Sequence, residues 1–213
     1  MGGRNYIGIQ DITLEIWTSY FFQFNETLKI FMTKPDNIRV LEIGIGNKTV
    51  SNIIELHLRE MESSKMITMD IDHSLKPDII ADVRHIPFKN NSFDIVLCFE
   101  TLEHINHKDL GDALVEIKMV TKKYILLSIP HNSMYLSFMV KIPKMHIRTF
   151  SVTSDLLSYN KIEKEHFWEL GYKNCSYNGL LRKFKDLDLV VDKTFRNPFF
   201  PYHHFFKLEK KEI

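Results

Sequence analysis

The chain has 213 residues, with 28 Lys+Arg against 27 Asp+Glu, 44% hydrophobic residues and 12% aromatic residues. The aromatic content excludes a disordered chain, and a net charge of +1 argues against a protein built to neutralise many phosphates. One domain with a self-sufficient core is expected at this length, so no disulfide or structural metal is needed.

The two cysteines, Cys98 and Cys175, form no framework spacing. The first ten residues, MGGRNYIGIQ, lack the apolar core of a signal peptide. No uncharged apolar stretch approaches the roughly 20 residues of a membrane span. A cytoplasmic protein with no membrane contact is the expectation.

Residues 11–34 read as a helix unusually rich in aromatics, and Pro35-Asp36-Asn37 breaks it. Ile38 to Ile43 is a short strand candidate, followed by Gly44-Ile45-Gly46-Asn47 and a helical pattern over Thr49–Arg59. Met66–Asp70 and Asp78–Ala81 read as further strands, and Phe93–Phe99 is the clearest strand of all. Lys108–Val120 has the spacing of an amphipathic helix, and Tyr124–Ile129 is another continuous apolar run. Residues 131–175 show no clear period; Ser176–Lys185 looks helical. Leu187–Phe195 and Tyr202–Leu208 look like a closing antiparallel edge pair.

Near-continuous apolar strands alternating with helices mean a parallel sheet covered on both faces. The fold class expected is therefore α/β. It is a Rossmann-like three-layer sandwich, with a mostly parallel seven-stranded sheet and an antiparallel C-terminal strand pair. One domain divides into an N-terminal helical segment (1–37), a ligand-binding core (38–130), an insertion (131–175), and a last helix with the closing strands (176–213).

A strand running into a Gly-containing turn and then a helix builds a ligand site at the strand's carboxyl edge. Gly44-x-Gly46 alone is a weak signal. Glu42 precedes it by two positions, Asp70 ends the next strand, and Asp82-Val83 follows the third. An acid at the end of the second strand commonly accepts from ribose hydroxyls.

Taken in order, VLEIGIGN (40–47), TMDID (68–72), ADVRHIPF (81–88) and FDIVLCFETLEHI (93–105) resemble the class I S-adenosylmethionine-dependent methyltransferases, in their type 11, small-molecule branch. The resemblance covers residues 38–130 strongly. It implies S-adenosylmethionine as cofactor, with S-adenosylhomocysteine as product. Glu42, Gly44, Gly46 and Asn47 would meet the methionine end. Asp70 and Ile71 would take the ribose, and Asp82 with the Val83 backbone would read the adenine. Phe99 and Glu100 would line the reactive sulfonium, with His104 just beyond on the substrate side. The family usually has a third glycine where this chain has Lys48. A nicotinamide fingerprint would need glycine at position 49, which is Thr49.

Asp72 reads as a turn residue, and Asp78 starts a strand or caps a turn. Asp94 opens the fourth strand in a structural role, and Cys98 is a small buried hydrophobe. Methyl transfer needs a base only if the acceptor arrives protonated. His104, His131, His146 and His166 are the candidates, with His104 first by position. No metal is expected. His166 and Glu169 are three apart, and His203-His204 point to opposite faces of a strand, which is no recognised ligand spacing.

The acceptor should meet residues 131–175, because long irregular loops at a ligand edge are usually functional. This stretch is rich in Met and aromatics. With Trp17, Tyr20, Phe21 and Phe24 it could form an aromatic lid, and two helices packed on each other are the equal alternative. Residues 141–185 hold nine Lys/Arg against four acids. The acceptor expected is a small molecule, anionic or aromatic, and a homodimer is left open. Nucleic acid is disfavoured. Glu100-Thr101-Leu102-Glu103 stands where base-amino methylases have Asn/Asp-Pro-Pro-Tyr/Phe, and Asn197-Pro198-Phe199-Phe200 resembles that motif in letters only. Two alternatives stay open: an RNA methyltransferase using the basic 141–185 segment, and an inactive cofactor-binding subunit of a partner enzyme.

Overall fold

The computed structural model describes residues 13–33, 36–144, 147–154, 162–173 and 175–211. The elements in chain order are α1 (Leu14–Phe31), β1 (Arg39–Ile43), α2 (Thr49–Leu58), β2 (Lys65–Asp70), β3 (Ile79–Ile80) and β4 (Phe93–Phe99). They continue with α3 (Leu110–Val120), β5 (Thr121–Pro130), β6 (Met134–Val140), β7 (Arg148–Ser154), α4 (Tyr177–Asp186), β8 (Leu189–Arg196) and β9 (His203–Lys210). Short 3-10 turns occupy His73–Leu75, Leu102–His104 and His107–Asp109.

Seven strands form one sheet in the order β3-β2-β1-β4-β5-β9-β8. The first five are parallel; at the far side β9 runs antiparallel to β5, and β8 pairs antiparallel with β9. The α/β expectation and the closing strand pair are both met.

Strand period two sorts the side chains onto two faces. From β4, Val96 and Cys98 face the cluster that holds Leu114 and Ile117 of α3 and Phe184 of α4. Ile95, Leu97 and Phe99 face the other cluster, with Ile30 of α1 and Ile54 of α2. All seven residues of β4 are buried, which is why it reads as an unbroken apolar run. Each such side chain contributes roughly 1.5–3 kcal/mol on leaving water. Asp94 is the polar exception. Its Oδ2 accepts from the Arg39 backbone N–H at 2.9 Å and lies 3.6 Å from Lys122, the structural role expected of it. Cys98 is buried in mid-strand as expected.

Residues 131–175 depart from both readings offered for them. β6 and β7 form a separate antiparallel hairpin, from Met134↔Ser154 to Val140↔Arg148. There is no helix pair among the described residues of this stretch. Leu136, Phe138, Met139, Phe150 and Val152 are exposed on the hairpin and form no lid. Met145, His146 and Tyr159 lie outside the described residues.

Candidate active site

The order β3-β2-β1-β4-β5 places the topological switch point between β1 and β4, where an open parallel sheet holds its ligand. Register brings the strand ends together: Ile43 pairs with Met69 on one side and Cys98 on the other. A cavity of about 1030 Å³ opens at this edge.

The Gly44–Asn47 turn forms its floor. Gly44 has φ +78°, and its N–H donates to Met69 O at 2.9 Å. Gly46 has φ +47° and nothing within 4 Å of where a Cβ would stand, so a ligand can approach the backbone there. Asn47 Oδ1 accepts from Thr49 N–H at 3.1 Å, and its amide donates to Tyr20 Oη at 2.9 Å. That bond ties α1 to the turn.

Lys48, the departure from the family pattern, takes the left-handed conformation (φ 63°) that a glycine would take more readily. Its ammonium donates to Lys76 O at 2.8 Å, and Lys48 does not line the cavity.

Asp70 is buried at the end of β2. Its Oδ2 accepts from Ile45 N–H and its Oδ1 from Asp72 N–H, both at 2.9 Å. Each oxygen keeps a second lone pair for a ligand. Ile71 is exposed at the cavity rim. Asp72 caps the following turn, accepting from Ser74 N–H at 2.9 Å. Asp78 holds Thr68 through its backbone N–H (2.8 Å) and its hydroxyl (2.7 Å). Asp82 and Val83 line the cavity, and Arg84 grips Asp82 at 2.9 and 2.6 Å. The guanidinium holds the Asp82 carboxyl below the usual carboxylate range.

Glu42 lies beneath the glycine turn, also on the cavity wall. Its Oε2 is buried with no hydrogen-bond partner among the described residues, an acceptor that an ammonium or hydroxyl of a ligand would satisfy. Burial pushes its carboxyl up to about 8; the Ser51 hydroxyl opposes this, and the Glu55 and Asp70 charges add to it. The folded value exceeds the unfolded one, so the native state keeps a proton that the unfolded chain releases. This group's contribution is full below the unfolded pKa near 4.5 and is lost as pH rises toward 8. Glu42→Gln should remove that loss. Urea unfolding is expected to show the variant gaining about 3 kcal/mol on wild type between pH 5 and pH 8. Parallel stability–pH profiles would contradict it.

The far wall is built by pieces that are distant in sequence. Glu100 follows β4 with φ 45°. Its Oε2 lies 3.6 Å from His203 Nε2, and its Oε1 is buried with no hydrogen-bond partner among the described residues. Burial raises the Glu100 carboxyl and pulls His203 down to about 3, so the contact is not an ion pair at neutral pH. His203 Nδ1 meets Ser19 Oγ of α1.

The segment 163–170 is stapled to the 3-10 turn after β4. Phe167 N–H donates to Glu103 O at 2.8 Å, and Trp168 Nε1–H donates to Leu102 O at 3.0 Å. This staple brings His104 and His166 together, ring centroids 5.1 Å apart. His166 Nδ1 lies 2.9 Å from Glu169 Oε1, and His104 Nδ1 lies 3.1 Å from Glu165 O.

Every expected cofactor residue lines the cavity: Glu42, Gly44, Gly46, Asn47, Asp70, Ile71, Asp82, Val83, Phe99 and Glu100. So do His104 and His166. His131 does not; it is buried against Arg196 and stacked on His204, and it is removed from the acid–base candidates. Of the aromatics proposed as a lid, Tyr20, Tyr135 and Phe167 line the cavity, while Trp17 and Phe21 are exposed and Trp168 is buried in the core. Thr101, Glu103, Phe200 and Tyr202 line it without having been singled out, and so does His203, considered only as a poor metal ligand. The Asn197 turn is structural: its amide donates to Thr18 Oγ1 at 2.9 Å and Ser19 Oγ at 3.0 Å.

Residues 41–127 match the family model described as a methyltransferase domain. An uncharacterized protein of Methanocaldococcus jannaschii is 26% identical over 201 residues, covering 83% of this chain and 81% of that protein. The fold is shared with the magnesium protoporphyrin IX methyltransferase of Synechocystis bound to S-adenosylhomocysteine. The TM-score is 0.61 and the identity 11%, over 96% of this chain and 90% of that one. It is also shared with the 1,6-didemethyltoxoflavin-N1-methyltransferase of Burkholderia thailandensis, with TM-score 0.59 and identity 10%, over 93% and 82%. With strand order and glycine turn in agreement, residues 41–127 match a methyltransferase domain on the fold of solved S-adenosylmethionine-dependent methyltransferases.

Proposed function

We propose that the protein moves the cofactor's methyl group to a small-molecule acceptor held between α1, the 163–167 segment and the turn before β9. The observation that carries this reading is the single continuous cavity of about 1030 Å³. That is at the top of the roughly 300–1,000 Å³ usual for one small ligand. It gives room for a cofactor and an acceptor side by side. Tyr20, Tyr135, Phe167, Phe200 and Tyr202 give the acceptor end apolar, aromatic walls. One structural neighbour was crystallised with the small heterocycle 1,6-didemethyltoxoflavin, which agrees with an acceptor of this size.

S-adenosylmethionine supplies an electrophilic methyl on a sulfonium, whose leaving group is a neutral thioether. The chain's own work is alignment and exclusion of water. Gly44 and Gly46 let the backbone approach the methionine end, Asp70 faces the ribose, and Asp82 with Val83 N–H faces the adenine. Phe99 and Glu100 flank the place where the methyl changes hands.

Calorimetric titration of the folded chain with S-adenosylhomocysteine tests this reading. One saturable site is expected, and no heat at any concentration would sink it. Turnover across acceptors of different size then separates a small-molecule enzyme from an inactive cofactor-binding subunit.

A further inference from the structure

We propose that Glu103, His104 and His166 bind a first-row divalent cation on the acceptor wall of the cavity. One carboxylate oxygen and two imidazole nitrogens from these residues lie within 4.8 Å of one another. Tetrahedral ligands at about 2.0–2.2 Å from one ion stand roughly 3.3–3.6 Å apart, so side-chain shifts of about 1 Å close the site. His166 Nε2 is 4.0 Å from Glu103 Oε1, outside hydrogen-bond reach but suited to an ion between them.

The surroundings orient both rings for ligation. His104 Nδ1–H donates to a backbone carbonyl, Glu165 O, at 3.1 Å. His166 Nδ1–H donates to Glu169 Oε1 at 2.9 Å. Each bond fixes the tautomer that carries its lone pair on Nε2, and the second makes a carboxylate–histidine pair of the kind that backs metal-ligating imidazoles. Glu169 is itself held by Tyr202 Oη–H at 2.7 Å and by the Glu163 N–H and Asn132 amide, both at 2.9 Å. Two imidazoles and one carboxylate suit zinc, manganese, iron or cobalt better than magnesium or calcium.

The role follows from the position and rests on the methyltransferase reading. All three residues line the cavity, and three protein ligands leave coordination positions for an acceptor. An acceptor hydroxyl bound there has a lowered pKa and loses its proton to water. Its oxygen then bonds to the methyl carbon as the carbon–sulfur bond breaks, and the electron pair stays on sulfur. The site thus selects an oxygen acceptor, and His104 is a ligand rather than the general base.

The test uses the full chain, stripped with a chelator and titrated with Zn²⁺ by calorimetry and with Co²⁺ by visible absorption. One equivalent is expected, with a Co²⁺ spectrum of nitrogen ligation. His104→Ala, His166→Ala and Glu103→Gln should each weaken binding at least tenfold, while the exposed His57→Ala leaves it unchanged. His104 is partly exposed, so its variant remains informative if the Glu103 variant fails to fold. No stoichiometric binding, or equal binding by wild type and the His104 and His166 variants, overturns the site. S-adenosylhomocysteine titration of the same samples reads the cofactor site independently: metal without cofactor binding would uphold the site and reject the methyltransferase reading, and the reverse would reject only the site.

Discussion

Gly44→Ala is expected to abolish S-adenosylhomocysteine binding and to lower folding stability by about 3 kcal/mol. Two effects add. The residue sits at φ +78°, where a Cβ costs roughly 1–2 kcal/mol. The new Cβ would also stand 2.0 Å from Thr101 Oγ1 and 2.8 Å from its Cγ2. Thr101 cannot swing aside cheaply, because its hydroxyl lies 2.8 Å from Phe99 O and 3.2 Å from Ile43 O. These two carbonyls end the strands that flank the switch point. Relief of the clash must therefore move the glycine turn or the end of β4, and both line the cavity. Thr101→Ala in the Gly44→Ala background should restore part of the stability by removing the clashing atoms, but not the part due to φ. Gly46→Ala is the internal control, with only the φ cost, because nothing lies within 4 Å. Urea unfolding and ligand titration measure both quantities, and a Gly44→Ala protein that binds S-adenosylhomocysteine like wild type would refute the account.

The half of the cavity proposed for the cofactor was legible in sequence because it is local. Glu42, Gly44 and Gly46 belong to one strand–turn–helix unit. Asp70, Asp82 and Phe99 end neighbouring parallel strands, which must finish at the same sheet edge. β4 was readable to the residue because both its faces are buried. The hairpin β6–β7 was not readable for the opposite reason. Its apolar residues fall on both faces, as in Leu136, Phe138, Met139 and Val140, and they are exposed, so neither a period of two nor one of 3.6 emerges.

The wall proposed for the acceptor was hidden by distance along the chain. Glu103-His104 and His166 are 62 or more residues apart and meet through bonds between the 165–168 segment and the turn after β4, Phe167 N–H to Glu103 O among them. His166 and Glu169 were visible as a pair on an imagined helix face. They do meet, at 2.9 Å, but across a loop. His131 was a reasonable base by residue type, yet the β5–β9 pairing turns it toward His204 and away from the cavity.

Glu169→Ala should be the most damaging single change on that wall. Glu169 is buried, and its Oε1 receives three donors: His166 Nδ1–H, Glu163 N–H and Tyr202 Oη–H. Its Oε2 receives the Asn132 amide. Burial pushes the carboxyl up, but these donors outweigh it and hold Glu169 below the usual carboxylate range. The four donors come from the 163–167 segment, the end of β5 and the approach to β9, so one side chain locks three separate pieces together. Truncation leaves buried donors unmatched at roughly 1–3 kcal/mol each, less than additively because they share one acceptor group. A loss of about 4 kcal/mol is expected in urea unfolding, with Zn²⁺ affinity falling at least tenfold as His166 loses its orienting partner. Glu169→Gln separates size from acceptor capacity. Its Oε1 still accepts, and its new amide faces Asn132, which can rotate its own amide to accept. Most of the stability should return. An alanine variant as stable as wild type would show that the wall is held by its backbone staple alone.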